Sequence, residues 1–240
     1  MNRSFAPAFA ALVLSACAAA PTPPPATRTT STTAEKPAAS STEPSAAPAA
    51  AVVIAHEVAD FKAWKSVFDE HATARKRHNV TQAHVNQSVD NPNLVTVYLA
   101  AGSASALQEF AADPDLKNAM MRGGVKGEPT VVAITPTEDR TIKDRALAGV
   151  TIRFKVASYE TWKSAFDGNA SERTKAGIVG YAVNRLAADP STILVYLQAE
   201  SVGALRTFTA SPELRATQQR AGVQGPPQIS FWQGSAWAQQ

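Results

Sequence analysis

The sequence predicts an α+β protein in which two tandem βαββαβ repeats close on each other as a barrel within one chain. Three observations carry this. The string FKAWKSVFD at 61–69 returns 98 residues later as YETWKSAFD at 159–167. The same ungapped offset pairs Asn86 with Asn184, Tyr98 with Tyr196 and Pro114 with Pro212, and it repeats Gly124-Val125-x-Gly127-x-Pro129 as Gly222-Val223-x-Gly225-x-Pro227. Within each copy, apolar spacing alternates between period two and helical period in the order strand, helix, strand, strand, helix, strand. A unit of about 80 residues is too long for a solenoid repeat and suits a small domain.

Each element has its own signal. Val52, Ile54, His56 and Val58 alternate as a half-buried strand, matched by Val150, Ile152, Phe154 and Val156. Phe61, Trp64 and Phe68 then fall at i, i+3 and i+7, an apolar stripe repeated by Tyr159, Trp162 and Phe166. Asp60 and Ser158 stand as N-caps, and Asn79 and Gly177 suit left-handed stops. Residues 80–89 and 94–100 read as a hairpin across Asp90-Asn91-Pro92-Asn93, with Ala188-Asp189-Pro190-Ser191 as the second turn. The second helix starts at Ser103 and Ser201 and breaks at Asp113-Pro114 and Ser211-Pro212. Gly124 and Gly222 stop it, and the last strands run over 130–134 and 228–232. This order is ferredoxin-like, with both helices on one sheet face. The other face needs a cover, and the two copies supply it to each other.

The N-terminus reads as a sorting signal. Arg3 precedes a short apolar run over 5–13, too short for a membrane span, and Leu14-Ser15-Ala16-Cys17 follows. That string resembles the bacterial lipobox, which makes Cys17 the lipidated residue; a plain secretory signal cut near Ala16 or Ala20 is the alternative. Ala18 in place of aspartate favours the outer membrane, with the folded part on its periplasmic face. Cys17 is the only cysteine, so no intrachain disulfide forms. Residues 18–49 are almost wholly Ala, Pro, Ser and Thr, a tether that buries too little to fold. The expected organisation is therefore signal 1–17, tether 18–49, first repeat 50–134, linker 135–148 and second repeat 149–234. With 23 basic against 20 acidic residues and no basic block, nucleic acid is excluded as a partner.

The strings Trp-Lys-x-x-Phe-Asp at 64–69, Asp90-Asn91-Pro92, Ser211-Pro212-Glu213-Leu214 and Arg-x-Gly-Val-x-Gly-x-Pro at 122–129 are similar to those of the dimeric α/β-barrel superfamily. Within it, the chain resembles uncharacterised members related to the antibiotic-biosynthesis monooxygenase and cyclase groups. The resemblance spans both repeats. It implies two ferredoxin-like halves around one barrel, here a monomer with an internal pseudo-dimer, and pockets inside the barrel or between sheet and helices. It also implies that cofactor-free oxygenases of this kind set Asn, Trp and Arg around an aromatic substrate, which draws attention to Trp64 and Trp162. Their place in a helical stripe assigns them to the core instead.

Alternation yields the site candidates. If Val95, Val97 and Leu99 face the helices, Thr96 and Tyr98 face the lumen, as do Leu194, Tyr196 and Gln198. His84, Asn86 and Asn184 join them from the neighbouring strands. Asn86, Tyr98, Asn184 and Tyr196 are the candidate ligand-binding set, and His84, Asn86, Tyr98 and Arg75 the candidate catalytic set. Arg75 and Arg173 are expected to pair with a carboxylate or snorkel at the rim. Histidines 56, 71, 78 and 84 all fall in the first copy without cysteine or a metal-ligand spacing, so neither metal nor cofactor is expected. No nucleophile or phosphate-loop motif is present. The reading that results is a lipid-anchored envelope protein that binds a small, partly apolar molecule or another envelope protein. The alternative is a cofactor-independent monooxygenase- or cyclase-like enzyme for an aromatic substrate.

Overall fold

A computed structural model describes residues 50–234 and Trp237. The sorting signal, Cys17 and the tether lie outside the described residues. The first repeat comprises β1 (Ala50–Val58), α1 (Phe61–Glu70), α2 (Ala72–Arg77), β2 (Val80–Ser88), β3 (Leu94–Ala101), α3 (Ala104–Ala112), α4 (Pro114–Arg122) and β4 (Val125–Asp139). The second comprises β5 (Ala148–Val156), α5 (Tyr159–Gly168), α6 (Ala170–Lys175), β6 (Ile178–Leu186), β7 (Thr192–Ala199), α7 (Val202–Ala210), α8 (Pro212–Arg220) and β8 (Val223–Gly234).

The eight strands form one closed barrel in the order β1-β3-β2-β8-β5-β7-β6-β4. Two seams join the halves: β2 pairs with β8 through Asn86, Gln87 and Ser88, and β4 pairs with β6 from Ile134 to Asp139. Closure removes the free edges that an open four-stranded sheet would leave. Three apolar clusters result. One lies between sheet and helices of the first repeat, around Trp64, Val97, Leu99 and Phe110. Its counterpart in the second repeat surrounds Trp162, Val195, Leu197 and Phe208. The third, with Ala51, Ala100, Ile134, Leu186 and Leu194, draws on both repeats and faces the lumen.

Caps fall where the sequence places them. Asp60, Ser103, Ser158 and Ser201 each accept a backbone N–H three residues on. Asp113 and Ser211 start α4 and α8 ahead of a proline at the first helical turn. Asn79 and Gly177 take φ of 55° and 80°.

Two elements differ from expectation. The first helix of each repeat is broken at His71 and Asn169, so His71 and His78 do not share one helix. At the break the Phe68 carbonyl accepts from Arg75 Nη1 at 2.6 Å, and the Phe166 carbonyl accepts from Arg173 Nη1. A guanidinium thus takes over a carbonyl at the end of each short helix. The other difference is the last strand of each repeat: β4 runs from Val125 past the expected boundary at 134 to Asp139, and β8 spans Val223–Gly234 against an expected 228–232. Gly127, at φ 68°, and Pro129 lie in a bulge where the register against β1 shifts, and a second shift follows Pro136. Residues 135–139 of the expected linker are therefore strand.

Candidate functional site

Alternation along β2, β3, β6 and β7 sends His84, Asn86, Tyr98, Asn184 and Tyr196 into the lumen, and the structure brings the first three and Tyr196 together. Tyr196 donates to Asn86 Oδ1 at 3.0 Å across the barrel, from one repeat to the other. His84 meets the Tyr196 ring edge-on at 5.8 Å and stands directly opposite Tyr98 in the β2–β3 register. Asn184 instead donates to the Leu194 carbonyl at 3.4 Å. Gln198 clasps the connection between repeats, accepting from the Ile142 N–H at 2.7 Å and donating to its carbonyl at 3.2 Å. Gly149 and Gly180 permit this packing, because a methyl at either position would overlap Tyr196 or Gln198. Burial pushes both the Tyr98 and Tyr196 phenols well above the usual tyrosine range, with Asp139 adding to the shift at Tyr98. These phenols are hydrogen-bonding groups near neutral pH, not bases.

Open space occurs elsewhere, between the sheet and helices of the second repeat. A cleft of about 50 Å³ is lined by Phe154, Trp162, Phe166 and Phe208, with Asn169, Arg173, Thr217 and Gln218 as its polar members. Its aromatic wall is continuous: Phe154 and Phe166 lie 5.5 and 5.2 Å from Trp162, centroid to centroid. The Arg173 guanidinium sits 3.7 Å above the Phe166 ring. Burial lowers its pKa, and the hydroxyl and carboxylates of Tyr181, Asp167 and Glu138 oppose that shift. Leu214, Thr217 and Gln218 of α8 form the outer wall. No residue of α8 is fully buried, so this wall is the one held least tightly.

The offset of 98 converts each lining residue into its partner in the first repeat. Phe154 becomes His56, Asn169 becomes His71, Arg173 becomes Arg75, and Ala221 becomes Gly123. There the side chains pack closely on one another. The His56 ring stands edge-on to Trp64 at 5.4 Å, Trp64 stacks on Phe68 at 5.3 Å, and His71 packs 5.9 Å from Phe110. Trp64 approaches Gly123 so closely that a Cβ there would lie 3.0 Å from the indole. Both His56 ring nitrogens and His71 Nε2 are buried without a hydrogen-bond partner. Burial lowers the His56 pKa to about 4, and burial with the neighbouring Arg75 charge lowers that of His71. In the first repeat, His78 Nε2 lies 2.7 Å from Asp113 Oδ2, which also takes Arg77 at 2.6 Å.

Arg75 and Arg173 correct the expectation of a place at the rim. Both are buried, at 1% and 5% exposure, on a phenylalanine ring and a backbone carbonyl. The reason is the helix break, which presents a carbonyl that the guanidinium reaches from seven residues on. Trp64 and Trp162 are core, as their stripe implies, yet Trp162 also walls the open cleft. Asn169 and the His56–Phe154 pair were missed as site residues. The signal that could find them is the offset of 98, which marks them as places where the copies differ in polarity. Among the described residues no three His, Cys, Asp or Glu side chains converge as a metal site, and no helix is long and apolar enough to cross a membrane.

A closed eight-stranded barrel with paired helices outside each ferredoxin-like half is the dimeric α/β-barrel fold. Solved structures bear this out. A candidate monooxygenase from Lactobacillus acidophilus superposes with a TM-score of 0.55 at 8% identity, covering 79% of this chain and 96% of that one. An anthrone oxidase-like protein matches at 0.55 and 14% identity over 78% and 92%. A candidate monooxygenase from Fusobacterium nucleatum matches at 0.55 and 11% over 80% and 95%. At such identities the likeness is one of fold. No family description and no curated protein matches the sequence.

Proposed function

We propose that this chain is a small-molecule-binding barrel, held in the cell envelope by lipid on Cys17, whose ligand site is the sheet–helix cleft of the second repeat. The observation that carries the reading is the cleft itself: an aromatic wall, Asn169 and Arg173 in the lining, and an outer side formed by a helix with no fully buried residue. Such a site suits a small, flat, partly apolar molecule with one polar edge. At about 50 Å³ it holds a few waters, so a ring enters as α8 moves outward. The signal and tether support an envelope address, with the outer membrane favoured by Ala18.

Native mass spectrometry of the chain purified from its envelope without denaturation tests the reading. A reproducible added mass, lost on Ala165→Trp and weakened by Asn169→Ala, is the expected result. An added mass that survives Ala165→Trp places the ligand elsewhere.

Catalysis is a second reading, favoured by one observation: Trp162, Asn169 and Arg173 converge on a single cavity. The neighbouring anthrone oxidase-like structure suggests the probe. Anthrone with dioxygen should give oxygen uptake that Asn169→Ala abolishes; no uptake above the buffer rate leaves binding alone.

A further inference from the structure

One side chain in the lumen is supplied by neither repeat. Trp237 lies three positions beyond the end of β8, and its ring stacks on His84 at 4.7 Å and 28°. Tyr98 meets the same ring edge-on at 5.8 Å, and Lys143 Nζ stands 4.7 Å from its centroid on a face. His84 and Tyr98 are directly opposed on β2 and β3, so they form one rigid floor. Lys143 is held over the ring by Asp139 at 2.8 Å and Gln82 at 3.3 Å. A flat ring between a stacking imidazole, an edge-on phenol and a cation is the arrangement by which proteins recognise aromatic ligands. The occupant fits imperfectly, because the indole Nε1–H is buried with no acceptor. A buried unpaired donor is costly, and a ring with C–H at that place escapes the cost.

The geometry points to a second ligand site in the lumen, formed by His84, Tyr98 and Lys143, for a fused two-ring aromatic, with Trp237 occupying it as an intramolecular competitor. A side chain tethered so close to its site acts at an effective concentration on the order of millimolar. Free ligand binds only to the fraction of molecules from which the indole has withdrawn, and its apparent affinity falls by that fraction. The site is separate from the second-repeat cleft, and either can exist without the other.

The probe is 2-naphthol, titrated calorimetrically into the full chain carrying Cys17→Ala to leave it without lipid. Trp237→Ala should bind it at least tenfold tighter than the parent, and adding His84→Ala should remove the gain. Free indole should bind Trp237→Ala several-fold more weakly than 2-naphthol. Ala165→Trp, which fills the second-repeat cleft, should leave these values unchanged. A Trp237→Ala protein that melts at the parent temperature yet binds no tighter overturns the proposal, as does a gain that survives His84→Ala. If Trp237→Ala lowers the melting temperature, Trp237→Phe keeps the cage partly filled; a gain smaller than tenfold but still lost with His84→Ala is then expected, and no gain refutes the site.

Discussion

The two sheet–helix clefts share a frame and differ in what fills it. In the first, His56, His71 and a tightly seated Trp64 pack together; in the second, Phe154, Asn169 and Ala221 line a cavity. The buried arginine is common to both, as are the broken helix and the carbonyl it answers. The frame is thus fixed by Trp, Phe and Arg, while a handful of lining positions decides between core and site. A buried imidazole with no partner packs where a phenyl ring would, but it brings a titratable group with it.

The largest expected effect breaks what the clefts share. Arg75→Ala removes a fully buried side chain and strands the Phe68 carbonyl, which should cost about 3 kcal/mol. Thermal unfolding should show a fall of about 6–12 °C for a domain of this size. Arg173→Ala should cost clearly less, because the adjoining cavity admits water to the Phe166 carbonyl. Equal losses would mean that the open cleft gives no such relief.

His56→Phe makes the first cleft resemble the second and should stabilise the barrel by about 1 kcal/mol through removal of unpaired buried nitrogens. Its pH signature is sharper. The native imidazole stays neutral down to about 4, whereas the unfolded one takes a proton near 6.5. Between these values the unfolded state binds more protons, so stability falls as pH drops. His71 acts in the same direction. Urea midpoints measured from pH 7 to pH 4 should decline less steeply in His56→Phe; an unchanged slope would place the titration elsewhere. The reverse exchange, Phe154→His, should import part of that pH dependence at a cost of about 1 kcal/mol, softened because the cavity hydrates the ring.

The smallest effect concerns the surface. Lys163 bridges Asp167 at 2.6 Å and Glu138 at 3.0 Å, tying α5 to β4, whereas Lys65 reaches only Asp69. Lys163→Met should cost under about 1 kcal/mol and Lys65→Met less, both differences vanishing in high salt.

Much of this architecture is legible in the chain. Alternation at Val95-Thr96-Val97-Tyr98-Leu99 assigns faces correctly, and Asp113-Pro114 marks its own break. The long β4 is hidden because Gly127, Pro129 and Pro136 read as turn punctuation, and only bulges reconcile them with a strand. The break at His71 is invisible to an apolar stripe that ends at Phe68, before it. The lumen set follows from period two, since one strand suffices to assign inward positions. The open cleft does not, because it is the gap between a sheet face and two helices, a quantity set by volumes across elements distant in sequence.

The connection over residues 140–147 has a consequence for how this barrel can change. Were the two halves separate identical chains related by a two-fold axis, every substitution would be installed twice, and a histidine suited to one cleft would be forced on the other. Covalent continuity lifts that constraint, so that one half can specialise as ballast while its twin keeps a hollow.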